Sequence, residues 1–129
     1  MIIDSSAIVA VINDEPEAAE LVRVVEARGH VQVSAATLLE TSIVLGGARH
    51  EHLDRWLSRA GVEIVPFDAE QARIARRAYV AYGKGSGSPA RLNYGDCFSY
   101  ALAKASGRPL LFKGDDFGHT DVESAYRPM

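Results

Sequence analysis

Short apolar runs alternate along this chain with longer segments in which apolar residues recur at helical spacing. Strands alternating with helices are typical of a parallel sheet covered by helices, so the pattern predicts an α/β protein. A length of 129 residues suits a single domain spanning 1–129. We expect strands at 2–4, 30–34, 62–67 and 110–112, and helices at 5–12, 35–45, 50–60, 68–82 and 93–106, with one further helix between Asp14 and Gly29.

Two predicted helix starts carry the spacing of a capping box, in which two side chains three residues apart satisfy free backbone N–H groups. Asp14 with Glu17 opens the second helix, and Asp68 with Gln71 opens the fifth. The run 62–67 contains a proline, which cannot donate a hydrogen bond to a neighbouring strand. We therefore expect that run to lie at an edge of the sheet or at a strand end.

The composition limits the classes of function that this protein can have. The formal net charge is −3, so the protein as a whole does not attract nucleic acid, and a polyanion would need locally clustered arginines. The one cysteine, Cys97, excludes an intramolecular disulfide, and we interpret it as a small buried residue in a reducing compartment. The sequence shows no charged leader and no run near the roughly 20 apolar residues of a membrane span. We expect a cytoplasmic protein.

Acidic residues lie where an α/β fold would gather them at one edge of its sheet. Asp4 ends the first apolar run, the Asp115-Asp116 pair follows the last one, and Glu40 and Asp96 lie in predicted helices. In open α/β sheets the carboxyl ends of the strands form the crevice that binds ligands. Several carboxylates packed together cannot all stay ionised unless a cation neutralises them. The pattern indicates either raised pKa values or a divalent ion such as Mg²⁺ or Mn²⁺, which prefers oxygen ligands.

Each acid taken alone also has a structural explanation. Asp4 can cap the first helix, Asp96 lies in a first helical turn where the dipole favours negative charge, and the aspartates at 115–116 suit a turn. Glu40 is the hardest to explain in this way, because a carboxylate in an apolar stripe is destabilised unless it is paired or coordinated. The residues that share its helix face are Ala36, Ile43, Val44 and Gly47.

Two polar residues lie one helical turn from Asp96, on either side of it. Asn93 and Ser99 are each three residues away, so both side chains can hydrogen-bond its carboxylate. No Walker A, HExxH or GxSxG pattern offers a competing chemistry. The acids therefore remain the candidates for catalysis.

Three stretches of the chain carry a family resemblance. They are the start MIIDSSAIVAVI, the block LNYGDCFSYALAKASGRPLLFKGDDF and the HTD that follows. Together they resemble PIN-domain ribonucleases and, more narrowly, the VapC-type toxins of bacterial toxin–antitoxin pairs. The resemblance spans the whole chain, and the block from Leu92 to Phe117 is its most specific part. It implies a three-layer α/β/α sandwich with a central parallel sheet, and Mg²⁺- or Mn²⁺-dependent endonucleolytic cleavage of RNA.

Carried over by position, the resemblance implies that Asp4 and Asp96 are the main metal ligands. Glu40 would complete the site directly or through water, and an aspartate of the GDDF segment would supply the fourth carboxylate. We favour Asp116, because the acid just before the phenylalanine is the family's more regular one. The doubled aspartate leaves Asp115 open as the alternative.

The resemblance also implies a mechanism and supporting residues. Metal-activated water would attack the RNA phosphodiester without a covalent enzyme intermediate. Ser6, Asn93 and Thr120 match polar positions near the family's site, where they would support the ligands rather than bind the metal.

Partners follow from the same resemblance. Family members are usually inhibited by a cognate antitoxin, which lies in a groove and blocks the acidic site with a basic side chain. They also commonly form homodimers. Apolar residues of the helices between Ala18 and Leu57 can line such a groove, although core packing explains them equally well. The arginines that can guide RNA phosphates to the site are Arg49, Arg55, Arg73, Arg76, Arg77 and Arg91.

Two other interpretations of the acids remain open. A phosphoryl-transfer domain, such as a receiver or a phosphatase, also collects aspartates at strand ends around Mg²⁺. However, Asp4 is followed by two serines, without the second aspartate expected of the phosphatase arrangement, and Glu40 has no clear place in either class. A non-catalytic, metal-free module would use the acids only to recruit a basic partner.

Overall fold

The computed structural model describes residues 1–126, and within this range short strands alternate with helices. The strands are β1 (Ile2–Ile3), β2 (Gln32–Ser34), β3 (Glu63–Val65) and β4 (Leu110–Leu111). The helices are α1 (Ser5–Ile12), α2 (Ala18–Arg28), α3 (Ala35–Leu45), α4 (His50–Arg59), α5 (Ala69–Tyr82) and α6 (Tyr94–Ser106), with 3₁₀ turns at Gly47–Arg49 and Asp116–His119. Every predicted element is present, although each strand is shorter than predicted. None of the helices in this range is long and apolar enough to cross a membrane.

The sheet is parallel throughout, with its strands in the order β3-β2-β1-β4. β3 therefore lies at an edge, as the proline in its run predicted, and Pro66 directly follows its last residue, Val65. Because all four strands point the same way, their carboxyl ends share one edge of the sheet, which we call the carboxyl edge.

Helices cover both faces of the sheet, because successive strand side chains point to opposite sides. Ile3 and Leu111 pack with residues of α1, α2 and α4, whereas Ile2 and Leu110 pack with residues of α5 and α6. All four side chains are fully buried, and each contributes about 2 kcal/mol to the stability of the fold. The predicted three-layer α/β/α sandwich is confirmed.

Helix α3 packs against both α1 and α6. Its buried positions are Thr37 and Thr41, and the Thr41 hydroxyl donates to the Thr37 carbonyl at 2.7 Å. Ile43 and Val44 are exposed. The expectation that Glu40 shares a buried apolar stripe with these two residues was therefore wrong. The Thr37 hydroxyl meets the Ser99 hydroxyl of α6 at 3.1 Å, whereas the Thr41 hydroxyl is satisfied within α3.

The predicted capping box at Asp14 was also wrong. Asp14 adopts a left-handed backbone conformation with φ 52°, and α2 begins only at Ala18. Glu17 precedes the helix without a side-chain capping bond, because its carboxylate pairs with Lys113 at 2.7 Å. The side chain of Glu15 pairs with the same lysine. Glu17, which the local pattern assigned to a helix cap, therefore serves a tertiary ion pair instead.

Half of the second predicted capping box is present. The Asp68 carboxylate accepts the backbone N–H of Gln71 at 2.9 Å, as predicted. The Gln71 side chain donates instead to the carbonyl of Pro66, at 3.1 Å. This hydrogen bond links the segment after β3 to the first turn of α5, and the capping box is left incomplete.

Candidate active site

The topology places acidic side chains at the carboxyl edge. Asp4 directly follows β1, and its backbone N–H donates to the Leu111 carbonyl of β4 at 2.9 Å. α3 starts immediately after β2, so Glu40 lies less than two turns from the edge. α6 runs back toward the start of β4, which puts its first turn, with Asp96, at the same edge. The loop after β4 carries Asp116.

Asp4 is a buried carboxylate with a hydrogen bond on each oxygen. Its Oδ2 accepts the backbone N–H of Ser6 at 3.0 Å, so it caps α1 as the local sequence pattern predicted. Its Oδ1 accepts the hydroxyl of Ser99 at 2.6 Å. The side chain is only 2% exposed, so these bonds hold it in one orientation. Helix capping alone does not account for the second bond.

Ser99 was expected to bond Asp96, and this prediction was wrong. Its hydroxyl points across the fold to Asp4 and also meets the Thr37 hydroxyl of α3 at 3.1 Å. Local spacing suggested a partner in the same helix, whereas the real partner lies 95 residues away in sequence. Thr37 was not singled out. The available signal was its position three residues before Glu40, on the same side of a helix.

Glu40 reaches the edge by lying against the first turn of α6. A Cβ atom built on Gly95 would lie 1.6 Å from its Oε2, so the carboxylate occupies the space that a side chain at position 95 would fill. Its Oε1 is buried and has no hydrogen-bond partner among residues 1–126. Burial raises the pKa of Glu40, and the charge of Asp4 raises it further. Gly95 was another residue that the sequence analysis did not identify.

Asp96 forms a complete capping box with Asn93. The Asp96 carboxylate accepts the Asn93 backbone N–H at 2.9 Å, and the Asn93 side chain accepts the Asp96 backbone N–H at 2.9 Å. Burial raises the pKa of Asp96 to about 6, and the charges of Asp4, Asp116 and Glu40 contribute in the same direction. The other three carboxylates are therefore close enough to disfavour a negative charge on Asp96.

The loop after β4 presents both of its aspartates to solvent. Asp116 begins the 3₁₀ turn Asp116–His119, and Asp115 precedes it. The charge of Asp116 contributes to the raised pKa of Asp96, whereas Asp115 is not among the causes of that shift. This difference favours Asp116 as the fourth member of the cluster.

Hydrogen bonds and ion pairs hold this loop in place. The Ser6 hydroxyl accepts the backbone N–H of Lys113 at 3.0 Å, which joins α1 to the start of the loop. The Lys113 side chain pairs with Glu15 and Glu17, as described above. Thr120 donates its hydroxyl to the Phe117 carbonyl at 2.7 Å, within the 3₁₀ turn. Ser6 and Thr120 thus order the backbone around Asp116, and their supporting role remains a prediction.

Cys97 follows Asp96 but has the properties of a packing residue. Its side chain is buried, and its thiol donates to the Asn93 carbonyl at 3.4 Å. Burial raises the pKa of the thiol to about 11, so it stays protonated and is a poor nucleophile near neutral pH. The interpretation of Cys97 as a small buried residue is confirmed.

The carboxylates have the donor chemistry of a divalent-cation site. Within residues 1–126, no three His, Cys, Asp or Glu side chains are already arranged to hold an ion. The orphaned Glu40 oxygen and the raised pKa of Asp96 nevertheless indicate negative charge that the protein leaves uncompensated. Mg²⁺ and Mn²⁺ prefer such oxygen donors and would relieve this repulsion. The residues that could hold the ion are Asp4, Glu40, Asp96 and Asp116.

The arginines considered for RNA binding are all exposed and come from several elements. Arg55 pairs with Glu51 at 2.9 Å one turn away on α4, so its charge is partly used within its own helix. Arg91 lies two residues before Asn93 and has a left-handed backbone conformation, with φ 50°. The arginines that project from α5 are Arg73, Arg76 and Arg77.

Comparison with known proteins agrees with this geometry. The PIN domain family matches residues 1–123. The VapC ribonuclease Mb0640 of Mycobacterium bovis is 51% identical, over 99% of this chain and 100% of its own length. Ribonuclease VapC of Mycolicibacterium smegmatis is 53% identical over 98% and 100%, and Ribonuclease VapC42 of Mycobacterium tuberculosis is 44% identical over 97% and 98%. With its parallel α/β/α fold and its acids at the carboxyl edge, the chain belongs to the PIN-domain family.

Proposed function

We propose that this protein is an endoribonuclease of the VapC type, the toxin of a toxin–antitoxin pair, which hydrolyses RNA phosphodiester bonds with the help of Mg²⁺ or Mn²⁺. One observation carries the proposal: the fold brings a buried Asp4, hydrogen-bonded on both oxygens, to the same edge as Glu40, which lies against Gly95, and as the first turn of α6 with Asp96. The ribonuclease names of relatives that share about half of the sequence over its full length support the same activity. RNA is the substrate, and the cytoplasm is where the protein would meet it.

Each acid has a role in this proposal. Asp4 and Asp96 hold the metal ion, and Glu40 and Asp116 complete its surroundings directly or through water. When bound, the ion lowers the pKa of a water molecule and stabilises negative charge on the phosphate. Water attacks phosphorus directly, without a covalent enzyme intermediate.

The remaining polar residues keep the acids in position. The hydroxyl of Ser99 and the backbone of Ser6 fix both oxygens of Asp4, so that this carboxylate does not have to reorganise during the reaction. The backbone N–H of Asn93 holds one oxygen of Asp96, whereas the Asn93 side chain bonds the Asp96 backbone rather than its carboxylate. Thr120 orders the 3₁₀ turn that begins with Asp116.

RNA binding requires local positive charge, because the net charge of the chain is −3. Arg91, Arg73 and Arg76 are exposed, and we propose that they contact phosphates on either side of the scissile bond. Weakening of RNA binding as salt concentration rises would reflect these contacts.

An antitoxin would inhibit the enzyme by covering the acidic edge. A groove between α2 and α4 offers a place for it, lined by Val22, Glu26, Trp56 and Arg59. Such a groove suits a peptide with apolar anchors. A basic side chain of the bound peptide would then neutralise the carboxylates, which form no ion pair with any residue of the range 1–126.

Homodimer formation is also part of the proposal. Helix α3 exposes Leu39, Ile43 and Val44, which are 63%, 72% and 63% accessible. Large apolar side chains grouped on one exposed helix are typical of a protein interface. A second copy of the chain would cover them.

The competing interpretations explain less. A receiver or phosphatase has no use for a carboxylate delivered from α3, and the relatives that match over the full length are named ribonucleases. A metal-free binding module gives no reason for Glu40 and Asp96 to lie partly buried beside Asp4, where burial and like charge raise the pKa of both.

The decisive experiment is cleavage of bacterial total RNA, with sequencing of the new 5′ and 3′ ends. We expect wild-type protein with Mn²⁺ to produce defined ends, and both EDTA and Asp4→Asn to abolish them. Asp54→Asn, an exposed acid on α4, is the matched control and should cleave normally. Equal cleavage by wild type and by Asp4→Asn would overturn the proposed active site.

A further inference from the structure

Two helices that are distant in sequence meet side by side next to the acidic cluster. Helix α3 contributes Thr37 and Glu40, which are three residues apart and share one face. Helix α6 contributes Gly95 and Ser99, which are four residues apart and also share one face. Thr37 meets Ser99 through their hydroxyls, and Glu40 meets Gly95 one turn along.

The contact at Gly95 leaves no room for a side chain. A Cβ atom there would lie 1.6 Å from Oε2 and 2.5 Å from Cδ of Glu40. These atoms form the end of a flexible side chain, so any other residue at position 95 would make the carboxylate swing out of the place that it occupies. Gly95 itself is buried and lies in an ordinary helical turn, without the left-handed conformation that would otherwise require glycine.

A glycine in a helix is otherwise unfavourable, because alanine stabilises a helix by up to about 1 kcal/mol more. Gly95 is the second residue of α6 and directly precedes Asp96. The atoms that exploit its missing side chain belong to a carboxylate, and one oxygen of that carboxylate is buried without a partner. The glycine therefore makes room for an acid rather than for a tight helix crossing.

We propose that Gly95 is a positioning residue for Glu40, and that its missing side chain lets the Glu40 carboxylate lie beside Asp96. The link to metal binding rests on the function proposed above. The packing of Glu40 on Gly95 does not, so the two parts can be tested separately.

A double-mutant cycle in EDTA tests the packing without any metal. We expect Gly95→Ala to give a less favourable shift in unfolding temperature when Glu40 is present than when it is absent, because only then must a carboxylate move away from the new methyl group. In the Glu40→Ala background the same change should leave that temperature unchanged or raise it, because the collision is gone and alanine favours the helix. If Gly95→Ala alone does not fold, recovery of folded protein in the double variant supports the proposal equally.

Gly47 provides the matched control. It lies in the 3₁₀ turn after α3, its backbone is not left-handed, and an added Cβ would meet nothing within 4 Å. Gly47→Ala should shift the unfolding temperature by the same amount whether position 40 is Glu or Ala. If Gly95→Ala also shows equal shifts in both backgrounds, the proposal is wrong.

Calorimetric titration with Mn²⁺ tests the functional consequence. Replacing a residue that orients a ligand weakens metal binding by about 10- to 100-fold, and we expect Gly95→Ala to do so. In the Glu40→Ala background it should cause no further loss. A further loss there, or wild-type affinity for Gly95→Ala, would refute the positioning role. No Mn²⁺ binding by wild type would instead refute the proposed metal site, and the EDTA cycle would still decide whether Gly95 positions Glu40.

Discussion

The charged side chains at the two edges of this sheet differ in whether they have partners. At the amino edge, where the strands begin, charged side chains have polar partners: the Arg108 guanidinium donates to Nδ1 of His30 at 2.9 Å, and Nε2 of His30 lies 3.1 Å from the Glu63 carboxylate. At the carboxyl edge, within residues 1–126, no ion pair reaches Asp4, Glu40, Asp96 or Asp116.

The difference between the two edges distinguishes side chains that stabilise the fold from side chains suited to bind a ligand. Exposed, paired charges at the amino edge stabilise the fold slightly and need no ligand. Like charges gathered at the carboxyl edge destabilise the metal-free protein, and such arrangements are concentrated at functional sites. The lysine that lies nearest in sequence to the acidic loop, Lys113, pairs with Glu15 and Glu17 instead. The charge of the cluster is thereby preserved.

The largest expected effect is stabilisation by metal. With Mn²⁺ at about 100 times its dissociation constant, binding should add about 2.7 kcal/mol to the free energy of unfolding. Thermal denaturation with and without Mn²⁺ measures this gain. Asp96→Asn should lose it, whereas Glu63→Ala, at the amino edge, should keep it in full. If Mn²⁺ stabilised wild type, Asp96→Asn and Glu63→Ala equally, the proposed difference between the two edges would be wrong.

The next effect concerns the bond between Ser99 and Asp4. Ser99→Ala removes a buried hydrogen bond to a charged group, and we expect a loss of about 2 kcal/mol in the free energy of unfolding, measured in urea. Mn²⁺ binding should weaken as well, because Asp4 loses one of the bonds that orient it. Ser106→Ala is the control, since that serine is an exposed residue of the same helix that bonds only backbone carbonyls. It should change stability little and leave Mn²⁺ affinity unaltered.

A smaller effect appears in the pH dependence of the metal-free protein. Folding raises the pKa of Asp96 from 3.8 to about 6, so the folded state binds the proton more tightly than the unfolded chain does. The resulting stabilisation is complete below the unfolded pKa and is lost as pH rises through the folded value. Asp96→Asn should remove this decline and, in EDTA, be more stable than wild type by about 1 kcal/mol at about pH 7, given the partial exposure of the carboxylate.

Urea unfolding across this pH range checks the prediction. Asparagine can still accept the Asn93 backbone N–H, so the capping bond itself is retained. A variant that is less stable than wild type at neutral pH would mean that Asp96 is mainly a helix cap.

The smallest effect is expected at the amino edge. His30→Ala removes exposed contacts to Glu63 and Arg108, and we expect a change in unfolding free energy of less than about 0.5 kcal/mol. RNA cleavage and Mn²⁺ binding should not change. A loss of cleavage comparable to that of Asp4→Asn would show that the functional division between the edges is wrong.

The sequence predicted the architecture well, because its signals are local. Apolar runs, helix caps and glycine stops located every strand and helix, and the parallel alternation placed Asp4, Asp96 and Asp116 at one edge. The missed features depend on tertiary contacts. The Ser99–Asp4 bond and the Lys113–Glu17 pair each join residues more than 90 positions apart, and no local spacing encodes them.

The position of Glu40 also depends on a tertiary contact, which local sequence patterns do not encode. Its apolar neighbours in sequence suggested a buried stripe, but Ile43 and Val44 face outward, and the carboxylate is buried against Gly95 on α6. The glycine in the segment YGD was visible from the start. Its role could not be predicted from the sequence, because the residue that occupies its empty side-chain position, Glu40, comes from another helix.

The central claim is that the carboxyl edge is a divalent-cation site built around Asp4 and Asp96. The most direct measurement is anomalous diffraction from crystals of the wild-type protein soaked in Mn²⁺. We expect an anomalous peak between the carboxylates of Asp4 and Asp96, and this peak should disappear in Asp96→Asn crystals soaked in the same way. A wild-type map without a peak at this edge, or with its strongest peak elsewhere on the protein, would contradict it.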